Sequence, residues 1–353
     1  MVLLGFCRIS GAKMNKGILA ALVAAILFGG STPFAKLLLG GIDPWLLAGI
    51  LYLGSGIGLT AVHFVTKGEQ SRLGIGEWPW LVGAILSGGV AGPVLLMYGL
   101  SGASAATSSL LLNAEGVLTA VLAWVVFKEN ADRRIVLGML AIMVGAAVLS
   151  WPTGSVEPSW PSLAVLAACL CWAIDNNLTR KVSLSDPVQI AAIKGLSAGV
   201  TNVVLAVAMG AHSPPVATVA AAGAIGFLGY GISLVAFVVG LRELGTARTG
   251  AYFSTAPFVG AIVSVLLLGE TISLRLVAAA ALMGVGVWLH LTERHEHDHQ
   301  HNAMEHEHAH EHDEHHHHHG DEPLGAHVHP HRHEPMIHQH PHFPDAHHRH
   351  GHS

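Results

Sequence analysis

The sequence predicts an all-α membrane protein of ten transmembrane helices, arranged as two inverted five-helix repeats and followed by a disordered C-terminal tail. Three observations predict it. Apolar runs of roughly 18 to 22 residues, the length that covers about 30 Å of hydrocarbon, can be cut at ten places. The two halves of the chain align with each other at a near-constant spacing. Composition also breaks sharply near residue 292: 24 of the 27 histidines follow it, together with 12 acidic and three basic residues, whereas 15 basic and 11 acidic residues precede it. The apolar part is net positive and the tail net negative. With 51% hydrophobic residues, 12% charged residues and a mean hydropathy of +0.50, the chain does not read as a soluble domain.

The expected spans lie near 17–37, 45–66, 79–99, 105–127, 133–151, 161–181, 187–209, 217–240, 247–268 and 273–291. Arg8, Lys13 and Lys16 precede the first, but no small-residue cleavage site closes it, so it reads as a retained helix. The run MNKGILAALV looks like a natural start at Met14, which makes residues 1–13 an upstream extension within a cytoplasmic N-terminus, 1–16. Links such as TKGEQSRLGIGE and SWPTGSVEPSW leave no room for a soluble domain before the tail. Trp78, Trp80, Trp151 and Trp160 stand at span ends as interfacial anchors. Cys169 and Cys171 sit in an apolar run as small hydrophobes, and His63, alone near a span end, reads as structural.

Orientation follows from the basic residues, which stay on the cytoplasmic side. With the N-terminus inside, that side collects Arg8, Lys13, Lys16, Lys67, Arg72, Lys128, Arg133, Arg134, Arg180, Lys181, Arg242 and Arg248, against Lys36 and Arg275 outside. An even number of spans then puts both termini in the cytoplasm and the body in the inner (plasma) membrane. The first repeat covers 17–151 and the second 161–291, with the tail from 293 to 353. An offset of 141 pairs Glu129 with Glu270, Arg134 with Arg275 and Gly145 with Gly286, and upstream Asp43-Pro44 matches Asp186-Pro187. Five spans per half is an odd number, so the second half must lie upside down. Secondary transporters use such inverted repeats to place two alternating gates around one site.

Two five-span halves, each with a span ending in Glu (WVVFKEN, LLLGETI) before a short Gly-containing span, resemble the EamA family of the drug/metabolite transporter superfamily over residues 14–291. The resemblance implies a carrier of small metabolites, often an exporter, working by alternating access with no cofactor required for transport. Pro257 of the second half faces Gly116 of the first, and Glu115 precedes that glycine.

Ionisable groups in mid-bilayer cost at least about 2.5 kcal/mol on insertion scales, so each needs a partner, water or a task. Glu115 with Asn113, Asp175 with Asn176 and Asn177, and Lys194 with Asn202 two turns on are the conspicuous ones. Counting from span ends places Asp175 and Lys194 at equal depth, roughly 10 Å in, on adjacent antiparallel spans. Either Asp175 or Glu115 could then pair with Lys194, as a packing device or as the wall of a substrate path. GGSTPFAK at 29–36 aligns with AIDNNLTR at 173–180, and Pro33 suggests an interrupted first helix there, which adds Ser31 and Thr32 to the path. Glu129 and Glu270 read more simply as snorkelling or loop-capping carboxylates. Glycines in SGGVAGP and GFLGYG read as close-packing positions.

The tail is too polar to bury a core and is expected to be disordered. Its imidazoles are ligands for Ni, Co, Zn or Cu, gathered by a flexible chain. The expected ligands are His295, His297, His299, His301, His306, His308, His310, His312, His315, His316, His317, His318, His319, His327, His329, His331 and His333. No nucleotide-binding loop, nucleophile elbow or metalloprotease helix is present, so an enzyme is not expected. The expected partners are the lipid bilayer, a small-molecule substrate and divalent metal ions, with no nucleic acid; a homodimer is left open. The function expected is export of a small polar metabolite. A divalent-metal transporter and a metal-responsive sensor without flux are the alternatives.

Overall fold

The computed structural model describes residues 16–66, 73–127, 133–150, 159–182 and 185–291, and in the tail 298–301, 304–310, 327–333 and 336–339. The first five helices are α1 (Lys16–Leu38), α2 (Pro44–Thr66), α3 (Trp78–Ala84), α4 (Gly92–Gly102) and α5 (Ala105–Leu111). They are followed by α6 (Asn113–Phe127), α7 (Arg133–Ser150), α8 (Trp160–Thr179) and α9 (Pro187–Ala208). The last are α10 (Val216–Gly226), α11 (Ser233–Phe253), α12 (Ala256–Leu268) and α13 (Leu274–Leu291). Joined end to end where they continue one another, they cover the ten expected spans, except that α11 runs unbroken through the expected link between the eighth span (217–240) and the ninth (247–268). Among the described residues, seven helical stretches are long and apolar enough to cross a membrane, and 136–150, 256–268 and 274–289 are shorter apolar helices.

The surface confirms the solvent. Ile26, Leu86, Val125, Leu266 and Trp288 project outward, so the outer face is apolar, while Leu, Ile, Ala and Gly share the inside with buried polar groups such as Asn113, Asp175, Lys194 and Asn202. Trp78, Trp80 and Trp160 are exposed at span starts; Trp151 lies outside the described residues.

Local chemistry sets the starts of the helices. Asp43 accepts from the backbone N–H groups of Trp45 and Leu46, and its repeat counterpart Asp186 accepts from Val188, each ahead of a proline at the first helical position. Gly269, in the left-handed region at φ 64°, ends α12.

The inverted repeat is visible in what packs on what. α2 lies along its counterpart α9, and α7 along its counterpart α13. α1 packs on α11 and α12, and its counterpart α8 packs in the same way on α4 and α6. Residues 85–91 and 227–232 are each one π-helical segment, which the offset of 141 almost superposes. The fourth span breaks at Leu112 and the ninth at residues 254–255, again at matching places.

This corrects the expected interruption of the first span. α1 runs from Lys16 to Leu38 through Pro33 without a break, and its counterpart α8 is equally continuous. The missing N–H of Pro33 removes one ladder bond to Gly29, and the helix holds because α12 crosses closely there. Any side chain at Gly29 would run into the backbone carbonyl of Ala256.

Within the tail, β1 (Asp298–His301) pairs antiparallel with β4 (Met336–Gln339), and β2 (Met304–His310) with β3 (His327–His333). Low apolar content did not foreshadow this local pairing. Alternation of His with Glu or Ala in HEHEHAH suits a strand, whose backbone groups can be satisfied without a core. Contacts divide the chain into residues 1–293 and 294–353.

Candidate transport site

Asp175 on α8 and Lys194 on α9 meet across the interior. The Lys194 ammonium donates to Asp175 Oδ1 at 2.5 Å and to Thr179 Oγ1 at 3.0 Å, and that hydroxyl donates in turn to Asp175 Oδ1 at 2.7 Å. Lys194 is 2% exposed and Asp175 6%. Two charges this dry persist only when paired and hydrogen-bonded, and the triangle supplies both conditions. The carboxylate fits because position 88 is glycine, where a Cβ would overlap it. The same arrangement recurs in the other half: Gly229, the counterpart of Gly88, receives Ser31, the counterpart of Asp175.

Glu115 pairs differently. It sits three residues past the break in the fourth span, and its Oε1 accepts from Asn176 Nδ2 at 2.8 Å. Lys194 therefore belongs to Asp175 and not to Glu115. Asn177 Nδ2 donates to the Ala173 and Thr119 carbonyls, tying α8 to α6.

Asn202 and Asn113 do other work than expected. The π-helical segment at 85–91 leaves carbonyls aimed off its ladder. Asn202 Nδ2 donates to those of Gly89 and Val90 at 3.2 and 3.4 Å, and its Oδ1 accepts from Trp45 Nε1. The carbonyl of Gly88 accepts from both Tyr52 Oη and Trp172 Nε1, each at 2.9 Å. Asn113 donates to the Leu110 carbonyl and turns toward Met283 of α13.

A partly open cavity lies between the halves, lined by residues of both. Of the nine expected path residues, Glu115, Asp175, Asn176 and Lys194 line it, whereas Ser31, Thr32, Asn113, Asn177 and Asn202 are buried in helix contacts around it. Sequence reasoning missed its aromatic walls, built from Phe28, Tyr52, Trp172, Tyr230, Phe237 and Phe253. Phe28 meets Trp172, Tyr230 and Phe253 with ring centroids 5.7, 5.7 and 5.4 Å apart. The repeat carried a signal for this, since Phe28 and Trp172 occupy equivalent positions in α1 and α8.

One end of the cavity's helices is tied between halves. Glu270, after α12, accepts from the backbone N–H groups of Ala105 at 2.7 Å and Ala106 at 2.8 Å, the open first turn of α5. Beside it, Lys36 of α1 donates to the Leu100 and Ala103 carbonyls at the end of α4. Glu270 is thus a cap made across the halves rather than a snorkelling group. Glu129, its counterpart, lies outside the described residues.

Of the tail histidines, His299 and His301 lie in β1, His306, His308 and His310 in β2, and His327, His329, His331 and His333 in β3. His306 stands in register with His331, His308 with His329 and His310 with His327. His295, His297, His312 and His315 to His319 lie outside the described residues. Among the described residues, no three His, Cys, Asp or Glu form a group that could hold a metal ion.

Two inverted halves, apolar outside and enclosing a cavity with charged and aromatic walls, define a multi-pass membrane transporter. The chain belongs to the EamA-like transporter family, whose model matches it twice, at residues 15–151 and 159–292. It is 26% identical over 290 residues to an uncharacterized transporter of Methanothermobacter thermautotrophicus, covering 76% of this chain and 84% of that one. It is also 26% identical over 184 residues to the uncharacterized transporter YyaM of Bacillus subtilis, over 48% of this chain and 59% of the other. A solved crystal structure shares the fold with a TM-score of 0.62 at 19% identity, covering 77% of this chain and 95% of its own.

Proposed function

We propose that this protein is an inner-membrane secondary carrier, with both termini cytoplasmic, that exports a small polar metabolite by alternating access. The cavity between the halves, with Glu115, Asp175, Asn176 and Lys194 in its wall, carries this reading. Support for alternation comes from an asymmetry between the halves. Residues 103–104 are non-helical and start a new helix at α5, whereas their counterparts 244–245 lie inside the continuous helix α11. Inverted halves of one carrier must differ in this way in any single state, and exchange conformations on switching.

Purified full-length protein in sealed vesicles tests it. Preloaded unlabelled metabolite extract should drive uptake of labelled solute from a matching extract, and a Glu270→Cys, Ala105→Cys disulfide joining the tied end should abolish that counterflow. Counterflow that persists with the disulfide formed would exclude alternation at this end. Absence of flux for every solute would favour a sensor.

The tail is proposed to bind divalent Ni, Co, Zn or Cu on its alternating imidazoles, apart from the transport step. Removing residues 293–353 should eliminate most equilibrium Ni²⁺ binding and leave solute counterflow unchanged. Binding should weaken as pH falls through about 6.5, where free imidazole protonates and ceases to be a ligand. Metal flux that disappears with the tail would instead make the metal the cargo.

A further inference from the structure

Among the groups lining the cavity, the formal charges do not cancel. Asp175 is neutralised by Lys194 at 2.5 Å, and Lys194 is further held by Thr179. Glu115 remains, and its carboxylate accepts from the neutral amide of Asn176. Among the described residues of that wall Lys194 is the one ammonium, and it is already engaged. A carboxylate buried among aromatic rings with only a neutral amide partner is stabilised either by taking up a proton or by a positive charge that arrives with a bound molecule.

The rings specify what that molecule is. Phe28, Tyr52, Trp172, Tyr230 and Phe253 stand on α1, α2, α8, the 227–232 segment and α11, so aromatic groups surround the cavity from several directions. Tyr52 and Tyr230 meet at 5.4 Å, and Phe237 and Phe253 at 4.9 Å. Aromatic faces attract cations of low hydration, and several together form the cage that recognises substituted ammonium groups. Among the described residues, no three His, Cys, Asp or Glu come together here to hold a metal ion. An anion would face the unpaired carboxylate.

We propose that the cavity binds an organic monocation, an amine or quaternary ammonium with an apolar body, its charge at Glu115 and its body among Phe28, Trp172, Tyr230 and Phe253. This deepens the carrier reading by naming the substrate class. It also identifies Glu115 as the specificity-determining residue, with the Asp175–Lys194 pair acting as a neutral part of the wall.

The test is equilibrium binding to purified full-length protein in detergent, followed through tryptophan fluorescence and calorimetry. The probes are benzyltrimethylammonium, its uncharged isostere neopentylbenzene, and benzoate. The cation should bind, and Glu115→Gln should weaken it at least about tenfold while leaving neopentylbenzene binding within about twofold. Glu115→Asp, which keeps the charge, should retain more affinity than Glu115→Gln, and it covers the case in which the amide variant does not fold. Cation binding unchanged in Glu115→Gln, benzoate bound more tightly than the cation, or no cation binding up to about 10 mM would each overturn the proposal. None of these results bears on the disulfide-gated counterflow, so the carrier reading stands or falls separately.

Discussion

Lys194→Ala is expected to destabilise the membrane domain by about 3–5 kcal/mol, because it strands the Asp175 carboxylate without its ammonium partner in a dry interior. The remaining hydrogen bond from Thr179 is too weak to replace an ion pair at 2.5 Å. Purified protein should lose most of its thermal transition, and the amount recovered from membranes should fall with it. Asp175→Asn combined with Lys194→Met removes both charges and keeps similar volumes, and it should recover most of that stability. Stability of Lys194→Ala equal to the parent would mean the two groups are solvated and not truly paired. The double variant also separates packing from function: full counterflow from it would demote the pair to a packing device, whereas a folded but inactive protein would make the charges part of the cycle.

The pair was legible in the sequence because it follows from counting. Two spans joined by a short link must run antiparallel, and residues equally far from that link lie at equal depth. The repeat was legible for the same reason, since Glu129 with Glu270 and Asp43-Pro44 with Asp186-Pro187 are linear matches. Asn202 shows where counting fails. It shares a helical face with Lys194, but two turns carry it about 12 Å along α9, out of the cavity and onto the carbonyls of Gly89 and Val90. Those carbonyls lie where the helix passes through π-helical register at 85–91 just ahead of Pro93, whose missing N–H leaves Gly89 without its usual donor, and the spacing of apolar residues carries no mark of the register shift. Pro33 misled in the opposite direction: it is a strong breaker in isolation, yet α12 crossing at Gly29 holds α1 together. The aromatic walls went unseen because their rings are scattered over α1, α2, α8, the 227–232 segment and α11, and only the fold gathers them.

The partner of Glu270 was equally invisible, because the groups it caps lie 165 residues upstream in the other half. Its removal should have the second large effect. Glu270→Ala leaves the Ala105 and Ala106 N–H groups at the start of α5 without their acceptor. A hydrogen bond to a charged group contributes about 1.5–3 kcal/mol, so this end should open at least about tenfold more often. Hydrogen–deuterium exchange on the full-length protein in lipid nanodiscs reads this directly. Peptides covering 104–112 should lose protection, while those covering 187–208, far along the chain and hydrogen-bonded within α9, should be unchanged. Glu270→Gln keeps an acceptor oxygen but loses the charge, and should fall between. Uniform loss of protection would report unfolding rather than a released latch. Unaltered exchange at 104–112 in a folded Glu270→Ala protein would show that Ser104, the cap internal to α5, holds that turn unaided. The latch matters because it links the second half's loop to the first half's helix, so it has to break whenever that end opens. In the alternating carrier proposed above, two charge-assisted bonds at this end would favour its closed state by an amount that binding a substrate can overcome.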